Sequence, residues 1–101
     1  MAVVRAHARR GTRGVREHLR GVTVDVMPYD DSTVGLRVDY AINPIDEDSR
    51  RKAFVFETRD GRYEVTRSDS SGGFVKYARR SSFTSPLRAI ESGARYVRGE
   101  D

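Results

Sequence analysis

Arginine offers the most chemistry in this chain: 17 of the 19 basic residues are Arg, and only Lys52 and Lys76 are Lys. A planar guanidinium binds phosphate or carboxylate oxygens two at a time. A GC-rich genome also inflates Arg, Ala, Gly and Val with no ligand involved, so composition leaves both causes open. Distribution along the chain says more. Residues 1–21 hold six Arg against Glu17 (net +5), and residues 22–50 hold seven acids against Arg37 and Arg50 (net −5). Residues 51–82 hold eight bases against four acids (net +4), residues 83–101 balance, and the whole chain carries +4. Blocks of like charge project a common local field. The residues available to an anionic partner are Arg5, Arg9, Arg10, Arg13, Arg16 and Arg20 in the first block, with Arg59, Arg62, Arg67, Lys76, Arg79 and Arg80 in the third. The first group can meet nucleic-acid phosphates, fold back on the acidic block of its own chain, or reach that of a neighbouring copy.

Other constellations are weaker. The pattern VRxHxR occurs twice, at Val4–Arg9 and Val15–Arg20, and supplies the only histidines, His7 and His18. Imidazole is a common metal ligand, but tetrahedral zinc takes three or four protein donors and there is no Cys, so both His read as structural or solvent-exposed. Asp46, Glu47 and Asp48 lack the alternating spacing and distant Glu of a calcium loop. Gly72-Gly73 beside Ser70 and Ser71 has no following helix and Lys to hold a phosphate, and reads as a loose turn. No nucleophile elbow, phosphate-binding glycine loop or His-Glu-x-x-His pattern occurs. The expectation is a protein with no catalytic residues, no metal and no cofactor, and not an enzyme.

The elements that position these residues follow from periodicity. The 101 residues suit one domain with one modest core. Residues 1–21 read as an Arg-rich N-terminal arm and 22–101 as the domain. Gly11 and Gly14 oppose a helix in the arm, so each VRxHxR copy reads as a short extended or turn segment. Val22, Val24 and Val26 alternate until Met27-Pro28, Pro28–Ser32 supplies turn residues, and Val34, Leu36, Val38, Tyr40 and Ile42 alternate until Asn43-Pro44, which predicts an antiparallel hairpin. Asp60-Gly61 between Ala53–Arg59 and Arg62–Ser68 predicts a two-residue hairpin turn. That turn sets Phe56 opposite Val65 and Phe54 opposite Arg67, and gathers Phe54, Phe56, Tyr63 and Val65 on one apolar face; Val55, Glu57, Arg59, Arg62, Glu64 and Thr66 form the other. Phe74–Ala78 reads as a fifth strand. Ser85 as N-cap and Pro86 at the first helical position open a helix whose stripe Leu87, Ile90, Ala94 and Val97 packs on the Phe54/Phe56 face. The fold class is therefore α+β: an antiparallel sheet of about five strands with one C-terminal helix on one face, preceded by a basic arm.

The stretch from Ala53 to Arg98, hairpin, third strand and then SSFTSPLRAIESGARYVR, resembles the three-stranded-sheet-plus-helix DNA-binding domain at the N-terminus of many tyrosine integrases. The resemblance implies a sheet that enters the major groove with the helix packed behind it. Glu57 and Glu64 among Arg59 and Arg62 depart from such a reading face and weaken phosphate attraction. The paired VRxHxR copies are similar to His-Arg tails in proteins of bacteriophages and mobile elements from GC-rich actinobacteria, which implies an origin of that kind and no activity.

The functional expectation is a binding protein, contacting nucleic-acid phosphates through the arm and the basic sheet surface. The alternative is a virion structural or assembly protein whose arm contacts neighbouring subunits in a homo-oligomer. No apolar run approaches the roughly 20 residues that span a bilayer, which places the protein in the cytoplasm or within a virion.

Overall fold

The computed structural model describes residues 2–8, 15–31, 36–69 and 77–100, with side chains at 2–6, 15–27, 39–69 and 82–100. Its elements are α1 (Ala2–Ala8), β1 (Arg16–Leu19), β2 (Val22–Asp31), β3 (Leu36–Pro44), β4 (Arg51–Glu57), β5 (Tyr63–Asp69), β6 (Tyr77–Phe83) and α2 (Pro86–Val97). The six strands lie in sequence order and every neighbouring pair is antiparallel. The α+β class and the C-terminal helix on the sheet are as the periodicity predicts, with one strand more. Side chains alternate across a strand, so Val22, Val24 and Val26 share the face on which Ile42, the partner of Val24, meets α2. Val3 and Ala6 of α1 belong to the same buried cluster, which puts both helices on one face of the sheet.

The N-terminal residues depart from an extended arm. The second VRxHxR copy is the edge strand β1, joined to β2 by the two-residue turn Arg20-Gly21 with Gly21 at φ +73°. The first copy lies largely in α1, because Ala2, Ala6 and Ala8 favour helix and Val3 and Ala6, three residues apart, bury against β2. Gly11 and Gly14 lie beyond α1 and outside the described residues, so they do not oppose it. β2 also runs through the expected turn at Pro28. One extra residue is accommodated between Val26 and Tyr29, a bulge at the position where proline cannot donate to the ladder.

The β4–β5 hairpin corrects the expected register. Thr58 N–H donates to the Arg62 carbonyl at 2.8 Å and Gly61 N–H to the Thr58 carbonyl at 3.1 Å, with Gly61 at φ +79°. The loop therefore has three residues, Arg59-Asp60-Gly61, with glycine in the left-handed position that follows a turn. A one-residue change of register turns one strand over. Val55 now pairs with Val65 and Phe56 with Glu64, so Ala53 and Val55 are buried beneath the helices, whereas Phe54 and Phe56 lie half-buried on the face away from them. Phe54 stands between Ala41 and Thr66 in the register, and these two small neighbours are buried.

Helix α2 begins at Pro86 as expected, but the buried stripe is Ala89, Ile90, Gly93, Ala94 and Val97, and Leu87 is 44% exposed. The stripe turns toward Ala89 and Gly93 because small residues let the helix approach the sheet: a Cβ on Gly93 would lie 2.6 Å from Ile42 Cδ1 and 3.0 Å from Ala53 Cβ. The helix ends in a Schellman motif, with Glu100 N–H on the Arg95 carbonyl, Gly99 N–H on the Tyr96 carbonyl and Gly99 at φ +82°. The strand expected at Phe74–Ala78 is β6, Tyr77–Phe83, and Phe74–Lys76 lie outside the described residues. Among the described residues no helix is long and apolar enough to cross a membrane.

Candidate functional site

In a meander, strands adjacent in sequence are adjacent in space, so the charge blocks become neighbouring stripes. The first consequence is internal neutralisation. Arg16 Nε meets Asp25 Oδ1 at 2.6 Å across the β1–β2 pair, joining the first basic block to the acidic one within a single chain. Arg20 binds both carboxylate oxygens of Glu100, which the Schellman turn brings back over the end of α2. Arg98 Nε also reaches Glu100, at 3.0 Å, and Arg98 NH1 donates to the Arg20 carbonyl. The hydrogen bond from Arg98, followed by the charges of Arg20 and Arg98, holds the Glu100 carboxyl below its ordinary range.

This knot lines an open groove of about 590 Å³ together with Asp46, Ser49 and Arg51. Arg51 is itself held, with NH1 on the Tyr96 carbonyl at 3.2 Å and its guanidinium 4.9 Å from the centre of the Tyr96 ring. Asp46, Glu47 and Asp48 are exposed at the same end, and the Asp46 side chain takes the Asp48 N–H at 3.0 Å. A polyanion approaching this end meets guanidinium groups already bound and a loop of three acids.

The basic residues expected to act together are divided. Arg20 lies at the β1–β2 turn and Arg59 and Arg62 at the β4–β5 turn, at opposite ends of strands that at roughly 3.3 Å per residue span about 20 Å. Arg5, Arg16, Arg20, Arg59 and Arg62 are exposed. Arg67 is not: at 3% exposure it lies beneath α2, where NH2 donates to Ser92 Oγ at 2.7 Å, so it cannot be a surface phosphate contact. The physical reason is register, since Arg67 pairs with Ala53 on the helix side of the sheet. Arg79 and Arg80 belong to edge strand β6 with side chains outside the described set, and Arg9, Arg10, Arg13 and Lys76 lie outside the described residues altogether.

Sequence reasoning missed Arg88 and Arg95. Both are exposed on α2, and with Phe83, Glu91 and Ser92 they line a groove of about 360 Å³ beside β6. Their helical spacing about Ser92, four residues before and three after, was the available signal. Arg62 lies elsewhere: its Nε donates to Ser82 Oγ on β6 at 2.8 Å, and Ser82, the partner of Glu64, is on the face away from α2, whereas Phe83, the partner of Tyr63, is on the helix face. None of Arg59, Arg62, Arg88 and Arg95 has an ion pair with a carboxylate among the described residues. Arg88 occupies the first turn of α2, which has no acid, although a cation there opposes the helix dipole.

Elsewhere, Asp39 is fully buried on the face away from the helices and its Oδ2 accepts the Glu57 N–H, standing in for a strand partner just past the last β3–β4 pair. His18 points outward from β1, and among the described residues no three His, Asp or Glu side chains are grouped to hold a metal. Compared with protein-family models, curated proteins and solved structures, the chain matches none.

Proposed function

We propose that this chain is a non-enzymatic binding protein that contacts nucleic-acid phosphates, as an accessory protein of the kind phages and mobile elements carry. The observation that carries the reading is the set Arg59, Arg62, Arg88 and Arg95, none of which has an ion pair with a carboxylate among the described residues. Arg59 and Arg62 lie at the β4–β5 turn, with Arg62 bonded to Ser82 of edge strand β6 on the face away from α2, and Arg88 and Arg95 lie on the outward side of α2. Edge strand β6 carries Arg79 and Arg80. The reading differs from one centred on residues 1–21, where Arg16 and Arg20 are bound by carboxylates of the same chain. It also differs from the integrase arrangement. There the face of the sheet away from the helix is the reading surface, whereas here that face carries Phe54, Phe56 and the buried Asp39.

The test is binding of fluorescent duplex DNA by the full chain across a salt series, beside a variant with Arg59, Arg62, Arg88 and Arg95 changed to Gln. Each lost phosphate contact flattens the log-log salt slope by about 0.9, so four contacts flatten it by roughly 3.6. Absence of binding at low salt, or an unchanged slope in the variant, refutes the proposal. A deletion of residues 1–20 is the wrong test, because it removes β1 from the sheet and Val3 from the core.

A further inference from the structure

The groove on α2 is more than a place where two arginines are close. Its floor is Ser92, and the Ser92 oxygen accepts a hydrogen bond from Arg67, a guanidinium 3% exposed and clamped between sheet and helix. An arginine can only donate. The Ser92 hydroxyl proton is therefore directed away from Arg67, and no acceptor for it exists among the described residues. Serine in a helix can return that proton to the carbonyl four residues back or turn it to solvent, and here no back-bond forms, which leaves the proton facing the groove. On either side stand Arg88 and Arg95, exposed and without carboxylate partners. One O–H donor between two guanidinium groups, in an open groove of about 360 Å³, has the chemistry of an oxyanion seat.

We infer that this groove seats a single phosphate group, with Ser92 Oγ–H and the Arg88 and Arg95 guanidiniums donating to its oxygens and Arg67 acting as the positioning residue behind Ser92. The ligand is a backbone phosphate of nucleic acid, an identity that rests on the function proposed above. Glu91 lines the groove as well and opposes an anion. The phosphate therefore sits on the Ser92 side, and Glu91→Gln tightens binding.

The experiment titrates the full chain with inorganic phosphate at constant ionic strength set by chloride, following backbone amides by NMR. The expected result is a saturable shift confined to residues 83–95, abolished in Arg88→Gln/Arg95→Gln and weakened roughly tenfold in Ser92→Ala, the loss of one hydrogen bond to a charged group. Ser92→Thr, which keeps the hydroxyl, retains most of the affinity and guards against a folding defect in the alanine variant. Arg67→Lys weakens phosphate several-fold, and Arg67→Lys combined with Ser92→Ala is no weaker than Ser92→Ala alone. Independent losses in that pair overturn the positioning role. Non-saturating shifts spread over all exposed arginines, or a Ser92→Ala variant equal to the parent, overturn the seat. The same variants on duplex DNA separate the two proposals. DNA binding that ignores Ser92→Ala removes the seat and leaves the function, whereas saturable phosphate binding without any DNA binding removes the nucleic-acid reading and its ligand.

Discussion

Substituting Gly93 by Ala sets two known effects against each other at one atom. In a helix interior the change is favourable by about 1 kcal/mol, since glycine loses more backbone freedom on folding. Against this, the new methyl would lie 2.6 Å from Ile42 Cδ1 and 3.0 Å from Ala53 Cβ. Ile42 Cδ1 ends a flexible side chain, but Ile42 is fully buried and has little room to turn. Ala53 Cβ moves only if β4 moves. Inserting a methyl group into a core this close costs about 1–3 kcal/mol, so the net expectation is a destabilisation of up to about 2 kcal/mol. Urea denaturation of parent and Gly93→Ala measures it, and a loss of 1 kcal/mol lowers the melting temperature by roughly 4–8 °C in a domain of this size. The Ile42→Val background supplies the internal control. That change costs about 0.5–1.5 kcal/mol alone, but it removes Cδ1, so Gly93→Ala is then less harmful than in the parent. A Gly93→Ala protein more stable than the parent, or equal penalties in both backgrounds, refutes the argument that this glycine sets the distance between α2 and the sheet.

Val3 is fully buried against the sheet, so Val3→Ala lowers stability by about 1.5–3 kcal/mol in urea denaturation; a neutral result means that α1 contributes nothing to the core. Burial, reinforced by the charges of Tyr63, Asp39 and Glu57, pushes the Tyr40 hydroxyl well above its ordinary value. A raised folded-state value means that the stabilisation is complete below the unfolded value near pH 10 and is lost above it, at up to about 1.4 kcal/mol per pH unit. Denaturation of the parent beside Tyr40→Phe at pH 9, 10 and 11 is expected to show the parent losing stability faster, and parallel curves refute it. Glu100 has the opposite sign, its carboxyl being lowered first by the Arg98 hydrogen bond. Its contribution is present above the unfolded value and disappears as pH falls through the lowered folded value. Parent and Glu100→Gln should therefore differ in stability near neutrality and converge in strong acid, and a difference independent of pH refutes the link.

The class of the fold and the order of its later elements were legible because they rest on strong periodicity: valines alternating from Val22, apolar residues alternating to Ile42, and the Ser85-Pro86 helix start. What was not legible depended on single residues of loop length. Asp60-Gly61 carries the signal of a two-residue turn, yet the Thr58 N–H to Arg62 bond closes a three-residue loop, and that one residue decides whether Phe54 or Val55 faces the helices. Both strand faces are rich in apolar side chains, so the pattern of β4 alone could not choose between them. The two VRxHxR copies show the same limit. Similar residues form helix where Val3 and Ala6 find a sheet to cover, and strand where Arg20-Gly21 returns the chain onto β2. Tertiary contact, not local preference, separates the two outcomes.

The same reasoning bears on where the proposed phosphate contacts lie. Net charge per segment pointed to residues 1–21, the most basic stretch of the chain. A meander places such a segment beside the next one in sequence, and here that next segment is acidic, so part of its charge is spent within the fold, as Arg16 on Asp25 shows. Residues 83–101 look inert by the same count because three bases balance three acids. The fold separates them again: Glu100 is drawn to Arg20 and Arg98 at one end of α2, which leaves Arg88 and Arg95 facing outward with only Glu91 between them. The field available to an anion therefore depends on which carboxylates the topology has already occupied, and a segment whose formal charge is zero can still present Arg88 and Arg95 outward.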